Sequence, residues 1–366
     1  MLTDDEILAL HRALLTIPSV SGDEKPIADF LEGWLAARGI GCERLGESLL
    51  VTCGPPPGEA PLLLFDTHLD TVPPGAGWTR APFAPTVENG RVYGLGSNDA
   101  KAAVAAMLAA FLAVRARPSA VTLALALVEG EETRGKGTEN VLAALAARGT
   151  SIDAAVVGEP TSLDLAVAQK GLLVLELVAR GTACHAAHAD ALGAVNPILT
   201  LAGDLARLPL ADLGPAHPQL GRTTLQPTVL RAGEARNSVP GEASAILDLR
   251  TAPGLARGEL AARLGALLES EVVVRSERLL PKATPEDAAI VRAARAARPA
   301  ARLYGSPTLS DWALLGDVPA VKAGPGASAR SHTADEWVDE QEILAGARFY
   351  AALAHAFAED SSRSPG

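Results

Sequence analysis

The chain has 366 residues, 48% of them hydrophobic, and a formal net charge of −11. That length suits two domains with sizeable cores, and the acidic balance argues against nucleic acid and anionic membrane surfaces as partners. The three cysteines, Cys42, Cys53 and Cys184, make no CxxC pair, which disfavours a disulfide framework and a cysteine zinc knuckle.

The first ten residues, MLTDDEILAL, are acidic where a secretion signal is basic. The most apolar run, 102–114, is too short and too alanine-rich for a membrane span. The expectation is a cytoplasmic protein with no membrane partner. Thr3 with Glu6 predicts a capping box that opens a first helix. Ser21 with Glu24 predicts a second, followed by Ile27, Phe30, Leu31, Trp34 and Leu35 at helical spacing. Strands are expected at 48–53, 61–67, 86–93, 121–128 and 153–157, and helices at 100–117 and 136–148. Such alternation predicts an α/β sheet with helices on its faces.

Near Gly171 the texture changes. A strand (LLVLELVAR), a helix near 194–207, a Pro/Gly-rich stretch at 209–221, strands at 222–232 and 243–250, a helix at 255–269 and a strand (EVVVRSERL) follow. That β-α-β-β-α-β order is the signature of a ferredoxin-like sandwich. Helical sequence resumes at Pro285, and the strand AVKAG and a last helix at 339–358 continue the first domain. The expected organisation is a discontinuous α/β domain, 1–174 and 284–366, with an α+β domain inserted at 175–283. Only the tail EDSSRSPG reads as unstructured.

The chemistry gathers at predicted strand ends. In LLLFDTHLDTVP a buried run leads into Asp66, His68 and Asp70, which share one face if the chain stays extended. Asp99 follows YGLGSN, Glu131 and Glu132 follow TLALALVEG, Glu159 follows DAAVVG, and His332 follows AVKAGPGASARS. Open α/β sheets bind ligands beyond the carboxyl ends of their strands. Singly, each residue has an ordinary explanation: a helix N-cap for Asp99, a solvated loop pair for Glu131 and Glu132, a turn for Glu159. Their common placement favours a metal site, and a mixed His/Asp/Glu set suits zinc, cobalt or manganese. GLGSND begins a GxGxxG pattern but ends in Asp99, whose carboxylate would repel a pyrophosphate. Cys184 beside His185 is better read as a buried thiol than as half of a nucleophilic pair. His11 and His355 fit structural positions on amphipathic helices, His217 fits a solvated loop, and His188 stays open.

In order, HLDTVP with GW…APF, GLGSNDAK, EGEE, GEP and SHTADE resemble the motifs of the M20 metallopeptidase and deacylase family across nearly the whole chain. The resemblance implies an α/β zinc-hydrolase catalytic domain with an inserted ferredoxin-like lid and dimerisation domain. It implies two divalent metal ions, zinc or alternatively cobalt. His68 and Glu159 would hold one ion, Glu132 and His332 the other, with Asp99 bridging before a cis peptide bond. Asp70 would orient His68, and Glu131 would be the general base. GTACHAAH matches the motif whose histidine, here His185, reaches a partner subunit's active site in family dimers, so a homodimer is implied. Asn237 and Arg250 match lid positions linked to substrate. Three departures bear on substrate: Ala100-Lys101-Ala102 for the common Met-Lys-Gly, Asp66 for Asn or Gly, and Leu309 in PTLSD where a Thr often stands. Within the family the motifs look most like acetylornithine deacetylases of arginine biosynthesis, so the expected substrate is a small N-acyl amino acid. The alternatives are desuccinylation, hydrolysis of a carrier-linked lysine or ornithine, carboxypeptidase or dipeptidase action, or a metal-free binding protein with the same fold.

Overall fold

The computed structural model describes residues 1–56, 58–256 and 258–363. It divides into two compact units. One comprises Met1–Val167, Ala283–Tyr304 and the chain from Ser310 onward; the other comprises Ala168–Lys282 and Gly305–Leu309.

The first unit is built on a mixed sheet. From one edge its strands are Glu43–Leu45, Ser48–Cys53, Thr122–Val128, Leu62–His68, Ala154–Val157, Ala320–Lys322 and Leu165–Gln169. The strands ending at His68, Val128, Val157 and Lys322 run parallel. Their carboxyl ends therefore open on the same edge of the sheet. Leu62–His68 and Thr122–Val128 are buried at every position, as expected of parallel strands covered on both faces. Side chains alternate between two cores. Leu63, Phe65, Leu123, Leu125, Val156 and Val321 face the helices Asp4–Leu15, Lys25–Ala36, Lys101–Arg115 and Ala289–Ala297. Leu62, Leu64, Ala124, Ala126, Ala155 and Val157 face the helix Lys136–Ala147 and Trp312. Half of the buried residues of helix Lys101–Arg115 are alanine, which lets it lie close to the sheet. A larger side chain at Ala105 would overpack that contact, typically at about 1–3 kcal/mol.

Local predictions meet different fates. Thr3 and Glu6 form the reciprocal capping box. Ser21 and Glu24 do not, because both side chains are engaged elsewhere, and Lys25–Ala36 starts without a side-chain cap. The run 86–93 is a hairpin, Thr86–Glu88 and Arg91–Tyr93, rather than one strand. Its two-residue turn, Asn89 and Gly90, has positive φ at both positions, the pairing an Asn-Gly turn favours. The last helix runs on to Arg363, into the tail expected to be unstructured; 364–366 lie outside the described residues.

In the second unit the strands Thr224–Ala232, Glu242–Thr251, Gly171–Arg180 and Glu271–Leu279 form an antiparallel sheet in that order. Helices Pro197–Arg207 and Glu259–Leu267 cover the face carrying Leu173, Leu175, Leu177, Leu247 and Leu249. Strand order and connectivity are ferredoxin-like. Among the described residues no helix is long and apolar enough to cross a membrane.

Candidate metal centre

His68 ends its strand at 2% exposure. Its Nε2 lies 3.2 Å from Asp99 Oδ1 and 3.9 Å from Glu159 Oε1. Across the site, His332 Nε2 lies 2.7 Å from Glu132 Oε1 and 3.9 Å from Asp99 Oδ2. The two oxygens of Asp99 thus face two different histidines, each with its own glutamate. The ligand atoms of His68, Glu131 and Glu159 lie within 4.8 Å of one another, as do those of His68, Asp99 and Glu132.

The segments carrying these groups are held by backbone hydrogen bonds to buried carboxylates. Glu336 accepts from the N–H groups of Gly96 (3.0 Å), Asn98 (2.8 Å) and Asp99 (2.9 Å), fixing the turn before helix Lys101–Arg115. Gly96 has φ +77, and a Cβ there would come within 2.7 Å of Thr71 Cγ2, so only glycine fits. The Asp99–Ala100 peptide bond is cis. Buried Lys101 donates to the carbonyls of Leu14 and Ile17, and His11 Nε2 meets Ser97 O at 2.9 Å. Asp70 meets His68 Nδ1 at two points. His68 Nδ1 lies closer to its backbone carbonyl (3.0 Å) than to its Oδ1 (3.5 Å). An Nδ1–H donated to that carbonyl leaves Nε2 as the metal-facing nitrogen. The Asp70 carboxylate also accepts from Glu131 N, Glu132 N and Ser21 Oγ.

The electrostatics are those of crowded, buried anions. Burial, then the Glu159 carboxylate, pushes Glu131 well above the usual range. Burial and Asp99 push Glu159 to about 8. Burial opposes a charged His68, yet Asp70, Asp99 and Glu131 lift its pKa well above the ordinary value. Lys322, buried at the end of its strand, lies in the field of Glu159, Glu131 and Asp99, and burial draws its pKa down. A pair of imidazoles and four carboxylates converging on one strand edge, two of them (Glu131 and Glu159) resisting ionisation, is a donor set that fits divalent cations.

Asp66 lies on the opposite side of its strand from Phe65. It accepts from Thr138 Oγ1 at 3.3 Å and is buried near Asp311. One oxygen of each carboxyl, Asp66 Oδ1 and Asp311 Oδ2, has no hydrogen-bond donor. Burial and the Glu131 charge push Asp311 to about 8. Sequence reasoning did not single out Glu336, Asp311 or Lys322; it read Glu24 only as a helix cap and met Lys101 only within the Ala100-Lys101-Ala102 departure. Their signal is burial of a charged residue, which no spacing rule displays.

The other predicted residues belong to the second unit. His185 pairs with Ser238 in a short ladder, and Ala186 N donates to Asn237 O, so His185 and Asn237 are neighbours. The His185 ring stands 5.6 Å from that of His188. Arg250 points its guanidinium at Asp248, with Nε 2.9 Å from Oδ1. Cys184 is half-buried, not fully buried as expected.

Residues 64–356 match the family model "Peptidase family M20/M25/M40". Succinyl-diaminopimelate desuccinylase of Halorhodospira halophila is 34% identical over 273 residues, covering 71% of this chain and 72% of that protein. A probable carboxypeptidase of Aspergillus flavus is 32% identical over 266 residues, covering 68% of this chain and 62% of its own. The fold matches the YxeP protein of Bacillus subtilis, described as a dinuclear metal binding peptidase, with a TM-score of 0.71 at 16% identity over 97% of this chain and 98% of that one. The protein is a metal-dependent hydrolase, and the chain belongs to the M20/M25/M40 peptidase family.

Proposed function

We propose that the protein is a dinuclear amidohydrolase that removes the acyl group from a small N-acyl amino acid, with N-acetylornithine as the leading substrate. The observation that carries the dinuclear reading is Asp99, whose Oδ1 faces His68 and Oδ2 faces His332. In this reading His68 and Glu159 would hold one ion and Glu132 and His332 the other, with Asp99 serving both. Zinc suits the mixed set, and cobalt is an alternative. Bound there, the ions supply Lewis acidity that activates a water and polarises an amide carbonyl. Glu131 would take a proton from the attacking water as its oxygen bonds to the carbonyl carbon. Glu131 then returns the proton to the departing nitrogen as the C–N bond breaks. The products are a carboxylate and a free amine. Its crowded, buried position supports this role, since a carboxyl raised towards neutrality both accepts and donates. His185 would stabilise the oxyanion from a second copy's inserted domain, and Asn237 and Arg250 would hold the substrate. Arg250, now paired with Asp248, would exchange that partner for the substrate carboxylate. Light scattering that found only monomer would remove His185 from this scheme.

Succinyl-diaminopimelate is the second reading, favoured by the identity to desuccinylases. Amine release from acetylornithine, acetylcitrulline, acetyllysine, succinylornithine and succinyl-diaminopimelate, with added zinc or cobalt, separates the two. Acetylornithine is expected to turn over fastest; faster release from the succinylated compounds would transfer the assignment to desuccinylation.

A further inference from the structure

We infer that Glu24 is a positioning residue for the turn that carries Glu131 and Glu132. Three consecutive backbone N–H groups of that turn end on buried carboxylates. Glu131 N and Glu132 N donate to Asp70 at 3.1 Å each, and Gly130 N donates to Glu24 Oε1, also at 3.1 Å. Glu24 lies more than a hundred residues away in sequence, is 3% exposed, and spends its other acceptor capacity on Gly22 N at 3.0 Å.

The inward placement is costly. Glu24 lies in the field of Asp70 and Glu129, two further carboxylates. Burying a carboxylate beside like charges is costly unless hydrogen bonds compensate it. Glu24 does not cap helix Lys25–Ala36, which begins without a side-chain cap. What it fixes is Gly130, the pivot of the turn. Gly130 has φ +70, and its carbonyl accepts from Arg134 N (2.9 Å) and Gly135 N (2.7 Å). Holding Gly130 N therefore sets the entry of a loop whose next two side chains are Glu131 and Glu132. Ser21 completes the latch from the same segment, donating to Asp70 Oδ2 at 2.7 Å. The segment read from sequence as a helix cap is thus a brace for the opposite loop.

The inference rests on Glu131 being the base, so the test has two arms. In the first, kcat and KM of Glu24→Ala, Glu24→Asp and Glu24→Gln are measured at saturating zinc, with bound zinc quantified. Gln keeps a carbonyl oxygen in place for both N–H groups; Asp keeps the charge but is one methylene too short. Ala and Asp are expected to lose about 10- to 100-fold in kcat, with KM and zinc content unchanged, because small misplacement of a reacting group is enough. Gln is expected to stay near wild type. In the second arm, amide exchange across 129–135 is compared between variants without substrate; it should quicken in Ala and Asp but not in Gln. Wild-type kcat in Ala and Asp, zinc loss parallel to the kcat loss, or unchanged exchange would each overturn the inference. If the wild-type protein hydrolyses no amide in the panel, the functional reading fails, and the exchange arm still decides whether Glu24 holds the turn.

Discussion

Glu131 and Glu132 are adjacent in sequence, and the turn points them differently. Glu132 Oε1 lies 2.7 Å from His332 Nε2, while Glu131 clusters with His68 and Glu159. If Glu132 is a ligand and Glu131 the base, replacing each has a different signature. Glu131→Gln is expected to keep its full metal complement while kcat falls by about 10²- to 10⁴-fold, the usual contribution of a positioned base. Metal analysis beside steady-state kinetics checks this, and wild-type turnover by metal-loaded Glu131→Gln would sink the assignment. The groups His68, Asp99, Glu132, Glu159 and His332 were readable in the sequence because each follows a recognisable strand or motif. Glu24 and Glu336 were not, because their partners are backbone N–H groups; Gly96 is 240 residues from Glu336. Asp70 was half readable: its place beside His68 is a matter of two residues, but its carboxylate serves a turn some 60 residues on.

At the scale of elements, long buried strands and helices declared themselves through periodicity, and several short elements did not. Glu43–Leu45, Leu303–Ser306 and Trp337–Asp339 are three or four residues long, too short for any alternation to register. The 86–93 hairpin was read through its Asn-Gly turn because residues on both sides favour strands. The turn 94–99 shows what such connections require. Its N–H groups at 96, 98 and 99 have one shared acceptor, Glu336, which is 2% exposed. Removing that acceptor orphans three donors beside a proposed bridging ligand. Glu336→Ala is therefore expected to weaken divalent-metal binding by about 10- to 100-fold, the usual cost of losing a group that orients a ligand. It should also lower stability by more than about 2 kcal/mol, since each unsatisfied buried group costs about 1–3. Calorimetric titration with zinc and denaturant unfolding of the metal-free protein measure the two effects. Metal affinity equal to wild type would mean that Asp99 does not depend on this bracket.

The whole molecule carries an acidic excess, and in the first unit several carboxyls are concentrated where ionising is hardest. Glu159 and Asp311 are pushed to about 8 and Glu336 to about 7, all by burial first. Asp66 and Glu131 are pushed well above their ordinary range for the same reason. A carboxyl raised on folding binds protons more tightly in the native state than in the unfolded chain. Its contribution is complete below the unfolded pKa, near 4, and is lost as pH rises through the folded value. Three buried bases oppose this trend: His11, lowered to about 4, Lys101, lowered to about 7, and Lys322, drawn down by burial, each favour the native state as pH rises past the folded value. The raised carboxyls outnumber them. Without metal, the melting temperature should fall between about pH 5 and pH 8. A bound divalent cation neutralises the same cluster and is itself held more tightly as the ligands lose protons. Zinc should therefore raise the melting temperature most at the alkaline end, flattening or reversing the slope. A ligand at a hundred times its Kd contributes about 2.7 kcal/mol, enough for calorimetry to resolve at every pH. If the chelator-treated protein instead melted higher at pH 8 than at pH 5, the carboxyls would not be held neutral at the strand ends, and the electrostatic case for the metal centre would fail with them.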